Sequence, residues 1–161
     1  MKNKFQILFL LMTVIASLLS VCIKPESSMH EGKKQQMTWL YDEGTALQKA
    51  SDQNKPVMID FMATWCPPCQ RMEDSTFSDT RVIEKANEFI TLRIDVDKHP
   101  DLANKYNSNA RKYGGVGIPG ILFLTQEGTP VKHIIGYHNA ENLTAVMDSV
   151  IALTQHKSTE E

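Results

Sequence analysis

Two cysteines separated by two prolines form the segment best suited to chemistry. Trp65-Cys66-Pro67-Pro68-Cys69 follows a short apolar run, Val57 to Ala63, of the buried-strand type. Proline is tolerated in the first turn of a helix, where its missing N–H would have no partner, so Cys66 is predicted to lie at a helix N-terminus. Unpaired N–H groups and the helix dipole there favour a thiolate. The spacing also places the two sulfurs about one helical turn apart, so a disulfide can open and close.

Two other uses of Cys66 and Cys69 compete with redox chemistry. A structural disulfide across so short a loop would restrict the unfolded chain little, so it would add little stability. A zinc site needs two further ligands, and His133 and His138 are the histidine pair with suitable spacing. We favour redox use, expect no metal, and expect the histidines to be ordinary surface residues.

The periodicity of the sequence predicts the elements that position the cysteines. Apolar and polar residues alternate over Phe89 to Val96, which is the period of a strand. A final helix, capped by Asn139, has apolar residues at helical spacing from Leu143 to Ile151. The order helix, strand, helix, strand, helix, hairpin, helix indicates an α/β domain with a mixed central sheet and helices on both faces. The other predicted elements are helices over Trp39–Asp52, from Pro67 through Met72, over Arg81–Asn87 and over Pro100–Tyr113, and hairpin strands at Ile121–Thr125 and Val131–Ile135.

A targeting segment is predicted ahead of this domain. Residues 1–23 begin with two lysines and continue as an apolar, uncharged stretch from Phe5 to Val21. Three outcomes stay open: a cleaved signal peptide, an uncleaved membrane anchor, or a lipoprotein signal in which Cys22 is lipidated. We expect an exported protein of the periplasm or cell envelope that contacts the membrane through its N-terminus.

The rest of the chain divides by composition. Residues 24–36 hold hardly any apolar side chain and are predicted to be a flexible tether. Residues 37–154 have the usual size of one compact domain, and residues 155–161 are predicted to be a disordered tail.

The net charge of the chain is small. The 161 residues include 17 basic and 19 acidic ones, which gives a formal net charge of −2. Such a chain has no cationic field for nucleic acid, so we expect no nucleic-acid partner.

Three segments carry a likeness to known proteins. They are Lys55-Pro56-Val57-Met58-Ile59-Asp60-Phe61, the motif at residues 65–69, and Gly117-Ile118-Pro119 before the strand at Ile121. Together they resemble the thioredoxin superfamily over residues 37–154, and the resemblance implies a thioredoxin fold. Within that superfamily, the helix before Lys55 and the segment Thr76-Phe77-Ser78-Asp79 are similar to the C-terminal extracytoplasmic domain of the transmembrane disulfide reductase DsbD.

The resemblance implies catalytic roles at three matching positions. Cys66 would be the exposed nucleophile and Cys69 the buried resolving thiol, which is consistent with the more stabilised thiolate at the helix N-terminus. Asp60 would be the family's buried acid. Burial without an ion partner would raise the pKa of this carboxyl and suit it to accept the Cys69 proton. The alternative is an aspartate that faces a polar edge.

Four further positions would face the substrate. Pro119 matches the family's cis-proline, although a trans loop proline is the commoner case on sequence alone. The Ile118 backbone would pair with the substrate chain as an added strand. The full predicted contact set is Trp65, Pro67, Ile118 and Pro119.

The resemblance implies a protein-disulfide reductase that needs no cofactor beyond its cysteine pair. Its partners would be disulfide-containing proteins and a membrane thiol-electron carrier as donor. A cytochrome c maturation thioredoxin and a noncatalytic thioredoxin-fold adaptor are the alternatives. Two positions depart from the family pattern: Gly120 stands where threonine is common, and no lysine near the buried acid is recognisable around Thr91-Leu92-Arg93.

Overall fold

The computed structural model describes residues 36–113 and 117–157. A four-stranded sheet lies at the centre, with strand order β2-β1-β3-β4. The strands are β1 (Val57–Met62), β2 (Ile90–Asp95), β3 (Gly120–Leu124) and β4 (Pro130–Ile135), and the α-helices are α1 (Glu43–Gln53), α2 (Pro67–Arg71), α3 (Thr80–Ala86), α4 (Pro100–Tyr113) and α5 (Ala140–Lys157). Strand β1 pairs in parallel with β2 and antiparallel with β3, and β3 pairs antiparallel with β4, so the sheet is mixed as predicted.

The first helix begins later than the sequence pattern predicts. Asp42 caps α1, because its carboxylate accepts a hydrogen bond from the Thr45 N–H at 2.7 Å. The residues before it run along the outer edge of β2 instead. The Leu40 N–H donates to the Thr91 carbonyl at 2.9 Å, and the Arg93 N–H donates to the Leu40 carbonyl at 2.8 Å. We call residues 37–40 the edge segment, since its backbone hydrogen bonds are made to the sheet.

The helix after the cysteines changes its geometry within two turns. Pro67 and Pro68 occupy the first helical positions of α2, and the chain then continues as a π-helical turn over Met72–Thr76. This turn places Met72 in the core while Glu73 stays exposed. It therefore carries one charged side chain close to the sheet without burying it.

Helices cover both faces of the sheet, as predicted. One face, with Met58, Ile121 and Phe123, packs against α3, α5 and the π-helical turn. The other face, with Ile59, Phe61 and Leu122, packs against α1 and α4. Alternation of side chains along β1 sends neighbouring residues to opposite cores. Asp60 therefore shares its face with Met58, whereas Phe61 lies on the other.

Helix α5 closes the first of these cores. The Asn139 side chain caps it by accepting a hydrogen bond from the Asn142 N–H at 2.9 Å, as predicted. Its Leu143, Met147 and Val150 side chains are fully buried, and each such side chain stabilises the fold by about 1.5–3 kcal/mol. The helix runs to Lys157, past the predicted domain end at residue 154.

Candidate active site

The two cysteines lie where β1 ends and α2 begins. They form a disulfide, and their Cα atoms are 5.3 Å apart. Cys66 is the N-cap of α2, and its Sγ accepts a hydrogen bond from the Cys69 N–H at 3.3 Å. The turn that leads into the helix is held by Gln70, whose side-chain amide donates to the Thr64 carbonyl at 2.6 Å. The predicted helix-start position of Cys66 is thus observed.

The expectation of an exposed Cys66 is wrong for this disulfide form. Cys66 is 2% exposed and Cys69 is 5% exposed. Both pack with Ala63, and the side chains of Val96 and Ile118 lie against this small cluster. Burial of Cys66 follows from those neighbours, since they approach the disulfide from β2 and from the loop before β3.

Asp60 is buried in the middle of β1, at 1% exposure. Its Oδ2 atom accepts a hydrogen bond from Arg93 Nε at 2.9 Å, while its Oδ1 atom is buried with no partner among the described residues. Burial raises the pKa of the Asp60 carboxyl to about 6, although the Arg93 guanidinium acts to lower it. This carboxyl can therefore exchange a proton near neutral pH.

Arg93 corrects the expectation that the buried acid has no ion partner. Asp60 has an ion partner after all, because parallel pairing of β1 with β2 sets Asp60 opposite Arg93. Residues 91–93 hold no lysine, and the cation beside the acid is Arg93. Its Nη2 atom also contacts Glu73 Oε2 at 2.6 Å, so the guanidinium links the buried carboxylate to an exposed one.

The predicted substrate-facing residues differ in exposure, and Ile118 packs against the cysteine cluster. The Ile118–Pro119 peptide bond is cis, as the resemblance implied, and Pro119 is buried. Trp65 is 64% exposed, and its indole N–H donates to Asp97 Oδ2 at 2.5 Å. Pro67 is exposed. An apolar hollow of about 280 Å³ adjoins them, lined by Phe61, Trp65, Val96, Ala103, Tyr106, Gly117, Ile118 and His133.

A family model for the thioredoxin-like domain matches residues 44–151. The chain belongs to this family. A thioredoxin from Mycobacterium tuberculosis is 34% identical over 98 residues, which is 61% of this chain and 76% of that protein. The thiol:disulfide interchange protein DsbD of Campylobacter jejuni is 29% identical over 96 residues, 60% of this chain but 16% of that protein. The chain thus spans less than a fifth of the length of the DsbD relatives.

Solved structures agree on the fold. A thioredoxin from Thermus thermophilus superposes with a TM-score of 0.61 at 23% identity, covering 74% of this chain and 90% of that one. The reduced C-terminal domain of DsbD from Neisseria meningitidis gives a TM-score of 0.52 at 24% identity, covering 68% and 98%. The thioredoxin fold is confirmed, and the chain is a thioredoxin-like oxidoreductase with a Cys66–Cys69 pair.

Gly120 departs from the thioredoxin pattern for a steric reason. A Cβ atom added there would lie 2.8 Å from the Gly117 carbonyl oxygen and 3.3 Å from His133 Nε2. The first distance is too short for any side chain, and the His133 imidazole fills the space beside it. The close backbone approach thus explains why this thioredoxin-like domain has glycine after its cis-proline.

His133 is the histidine that sequence reasoning misplaced. It lies on β4, is 7% exposed, and neither ring nitrogen has a hydrogen-bond partner among the described residues. Burial lowers the pKa of its imidazole. The pattern did hold a signal, because Val131, His133 and Ile135 alternate with Lys132 on one strand, and this puts His133 on an inward-facing side.

Several predicted features lie outside the described residues. Cys22, the segment 1–23 and most of the predicted tether belong to them. Within residues 36–113 and 117–157, we find no helix that is both long and apolar enough to cross a bilayer. In the same part of the chain, no three histidine, cysteine or acidic side chains converge on a point where a metal ion could sit.

Proposed function

We propose that this protein is an extracytoplasmic thiol–disulfide oxidoreductase that reduces disulfides in other proteins. The observation that carries the proposal is the Cys66–Cys69 disulfide at a helix N-terminus, which follows a strand that buries Asp60 six residues before Cys66. A buried acid that titrates near pH 6 has little structural purpose, since a neutral side chain would be less costly to bury. It does suit proton exchange with a thiol.

The first chemical step forms a mixed disulfide. In the reduced protein, the Cys66 thiolate attacks one sulfur of a substrate disulfide and forms a new S–S bond. The substrate S–S bond breaks, and its other sulfur leaves as a thiolate that takes a proton from water. The helix N-terminus favours the attacking thiolate, since the Cys69 N–H points at Cys66 Sγ.

The second step releases the substrate. The Cys69 thiol gives its proton to the Asp60 carboxylate, directly or through one water, and the resulting thiolate attacks Cys66 Sγ. The mixed disulfide breaks, and the second substrate sulfur leaves and is protonated. Two electrons pass from the protein to the substrate, and Cys66–Cys69 ends as a disulfide. No cofactor takes part.

The direction of electron flow rests on the two prolines. Pro67 and Pro68 carry no N–H, so the Cys66 thiolate lacks two donors that other residues would supply at the start of α2. A less stabilised thiolate makes the reduced form less favoured and the dithiol a stronger reductant. The protein then needs a source of two electrons and two protons, for which we propose a membrane thiol-electron carrier.

Substrate binding is assigned to the surface around the disulfide. The exposed Trp65 and Pro67 flank Cys66 on one side, and Ile118 packs against the cysteine cluster from the other. The Ile118 backbone would pair with an extended substrate segment beside the disulfide that is attacked. The adjoining apolar hollow, with Val96 and Ala103 in its wall, would take an apolar substrate side chain.

Attachment to the cell envelope is proposed from residues 1–23. Their apolar stretch directs export, and Cys22 is the candidate lipid anchor that would keep the domain near a membrane electron donor. Helix α1 before β1 favours the DsbD-like role over a cytochrome c maturation thioredoxin, in which a β-hairpin is expected at this place.

Trapping of the mixed disulfide tests the proposal. Cys69→Ser cannot complete the second step, so cell-envelope proteins should accumulate as disulfide-linked adducts of Cys66 and disappear on reduction. Cys66→Ser with Cys69 intact is the matched control and should trap none.

Equilibration with glutathione tests the direction of electron flow. The wild-type disulfide should remain dominant until strongly reducing ratios of glutathione are reached. A domain that is dithiol in mildly oxidising buffer would be a disulfide donor, and partner binding that survives loss of both cysteines would indicate an adaptor.

A further inference from the structure

The edge segment places an aromatic ring on the cation that neutralises Asp60. The Thr38 carbonyl accepts a hydrogen bond from the Thr91 hydroxyl. Leu40 lies opposite Leu92, and its N–H and carbonyl form hydrogen bonds with the Thr91 carbonyl and the Arg93 N–H. These bonds fix the segment at the register of residues 91–93. The Trp39 side chain therefore projects beside Arg93, on the sheet face that also carries Asp60.

Trp39 and Phe77 form an aromatic corner around the guanidinium. The Arg93 Cζ atom lies 4.2 Å from the centre of the Trp39 ring and 5.4 Å from that of Phe77. The two rings meet edge to face, with centres 5.2 Å apart and planes at 84°. A guanidinium in contact with an aromatic face can still donate hydrogen bonds from its N–H groups.

The N–H groups of Arg93 reach two carboxylates that differ in exposure. Nε meets the buried Asp60 and Nη2 meets Glu73, whose side chain is 54% exposed. Without the indole face, the flexible arginine could follow Glu73 toward solvent, and Asp60 would lose its partner. We propose that Trp39 is a positioning residue for the reaction, because its indole holds the Arg93 guanidinium against the Asp60 carboxylate.

This inference rests on the proposed function in one respect, which is that Asp60 accepts the proton of Cys69. The charged groups that act on Asp60 are Arg93 from β2 and Glu73 from the π-helical turn. Its partner on β3 is the apolar Ile121, and the edge segment contributes no charge. In the reduced protein, the Cys69 thiol on α2 is the further titratable group that the proposed mechanism couples to Asp60. Loss of the indole thus acts on Asp60 through Arg93.

A titration of Asp60 tests the role of Trp39. The reduced full chain, with carbon-13 in its aspartate carboxyls, is followed by NMR from pH 4 to pH 9. Trp39→Leu should move the Asp60 midpoint upward by about 0.4–0.7 pH unit, because an arginine that is no longer held against the carboxylate stabilises its charged form less. Trp39→Phe should give a smaller upward shift. Tyr41→Leu, which removes an exposed aromatic ring two residues away, should give none.

The outcomes separate this inference from the proposed function. An Asp60 midpoint that is unchanged in Trp39→Leu overturns the role of Trp39. If Trp39→Leu does not fold, the test is made with Trp39→Phe, and an unchanged midpoint in that variant overturns the role as well. The pH midpoint of mixed-disulfide release should move with the NMR midpoint. If Asp60→Asn releases substrate at the wild-type rate, the proton-acceptor role fails, whereas a shifted Asp60 titration would still place Trp39 as the residue that positions Arg93.

Discussion

Each face of the sheet buries a titratable side chain, Asp60 on one and His133 on the other, and the surroundings of the two side chains differ. Asp60 lies on the face covered by α5 and the π-helical turn, where Arg93 pairs with it. His133 lies on the face covered by α1 and α4, against Phe61 and without a hydrogen-bond partner among the described residues. Burial raises the pKa of the acid and lowers that of the histidine, so both are pushed toward their neutral forms.

The two sites differ in whether an oppositely charged side chain pairs with the buried group. The Asp60 site holds a cation ready for the carboxylate, so both protonation states are accessible near neutral pH. Among the described residues no acidic side chain pairs with the His133 imidazole, so nothing there offsets the lowering of its pKa by burial. One face thus buries an acid that is paired with a cation, and on the other face an imidazole without an ion partner among the described residues lies next to Gly120.

The largest expected effect is on the release of substrate. Asp60→Asn should slow release of the mixed disulfide by about 10²-fold, since general-base help contributes at least that much, while its formation stays near the wild-type rate. Asp52→Asn, which makes the same change at an exposed acid on α1, is the control. Stopped-flow fluorescence of both steps measures this. Equal slowing of the two steps would make Asp60 a structural aspartate.

The pH dependence of stability should differ between Asp60→Asn and wild type. The folded pKa of Asp60, about 6, lies above its ordinary value of 3.8, so the wild-type carboxyl contributes stability below pH 4 that is lost as the pH rises to 6. Relative to the variant, the wild type should therefore lose on the order of 2–3 kcal/mol between pH 4 and pH 7. Urea unfolding at several pH values tests this. A difference that is constant with pH would contradict the raised pKa.

On the other face, Gly120 is expected to tolerate no side chain. Gly120→Ala should destabilise the protein by about 1–3 kcal/mol, because the new Cβ meets the Gly117 carbonyl and crowds the His133 ring. Gly44→Ala in α1 is the control, since its Cβ makes only an ordinary contact 3.6 Å from Asp42, and it should be neutral or stabilising. Thermal unfolding of the two variants provides the comparison. A stable Gly120→Ala would mean that the loop before β3 can shift.

The smallest expected effect comes from His133→Leu. Because burial depresses the folded pKa of the imidazole, the wild-type histidine contributes stability that is full above its unfolded pKa of about 6.5 and is lost as the pH falls below it. The variant should gain on the order of 1 kcal/mol relative to wild type between pH 8 and pH 5. The same urea series measures it. A gain that is equal at both values would mean that His133 is not held neutral.

Local patterns predicted most of the fold, and pairing between distant segments was the part they missed. The alternation of Phe89 to Val96 placed β2 correctly, and the Asn139 cap placed the start of α5. The position of Arg93 beside Asp60 depends on the register of two parallel strands 33 residues apart, which neither strand encodes by itself. The weak helical pattern of Trp39–Asp52 predicts a helix that includes the last two residues of the edge segment, whereas the hydrogen bonds of Leu40 to β2 are a tertiary contact.

The edge segment also decides how the domain behaves as an isolated piece. It occupies part of the outer edge of β2 with backbone hydrogen bonds, so that edge does not offer free N–H and carbonyl groups there. A recombinant domain that starts at Tyr41 would uncover them, and an open strand edge invites pairing between molecules. Self-association of the shortened domain would then appear during purification, in addition to the change at Asp60 that we expect from the loss of Trp39.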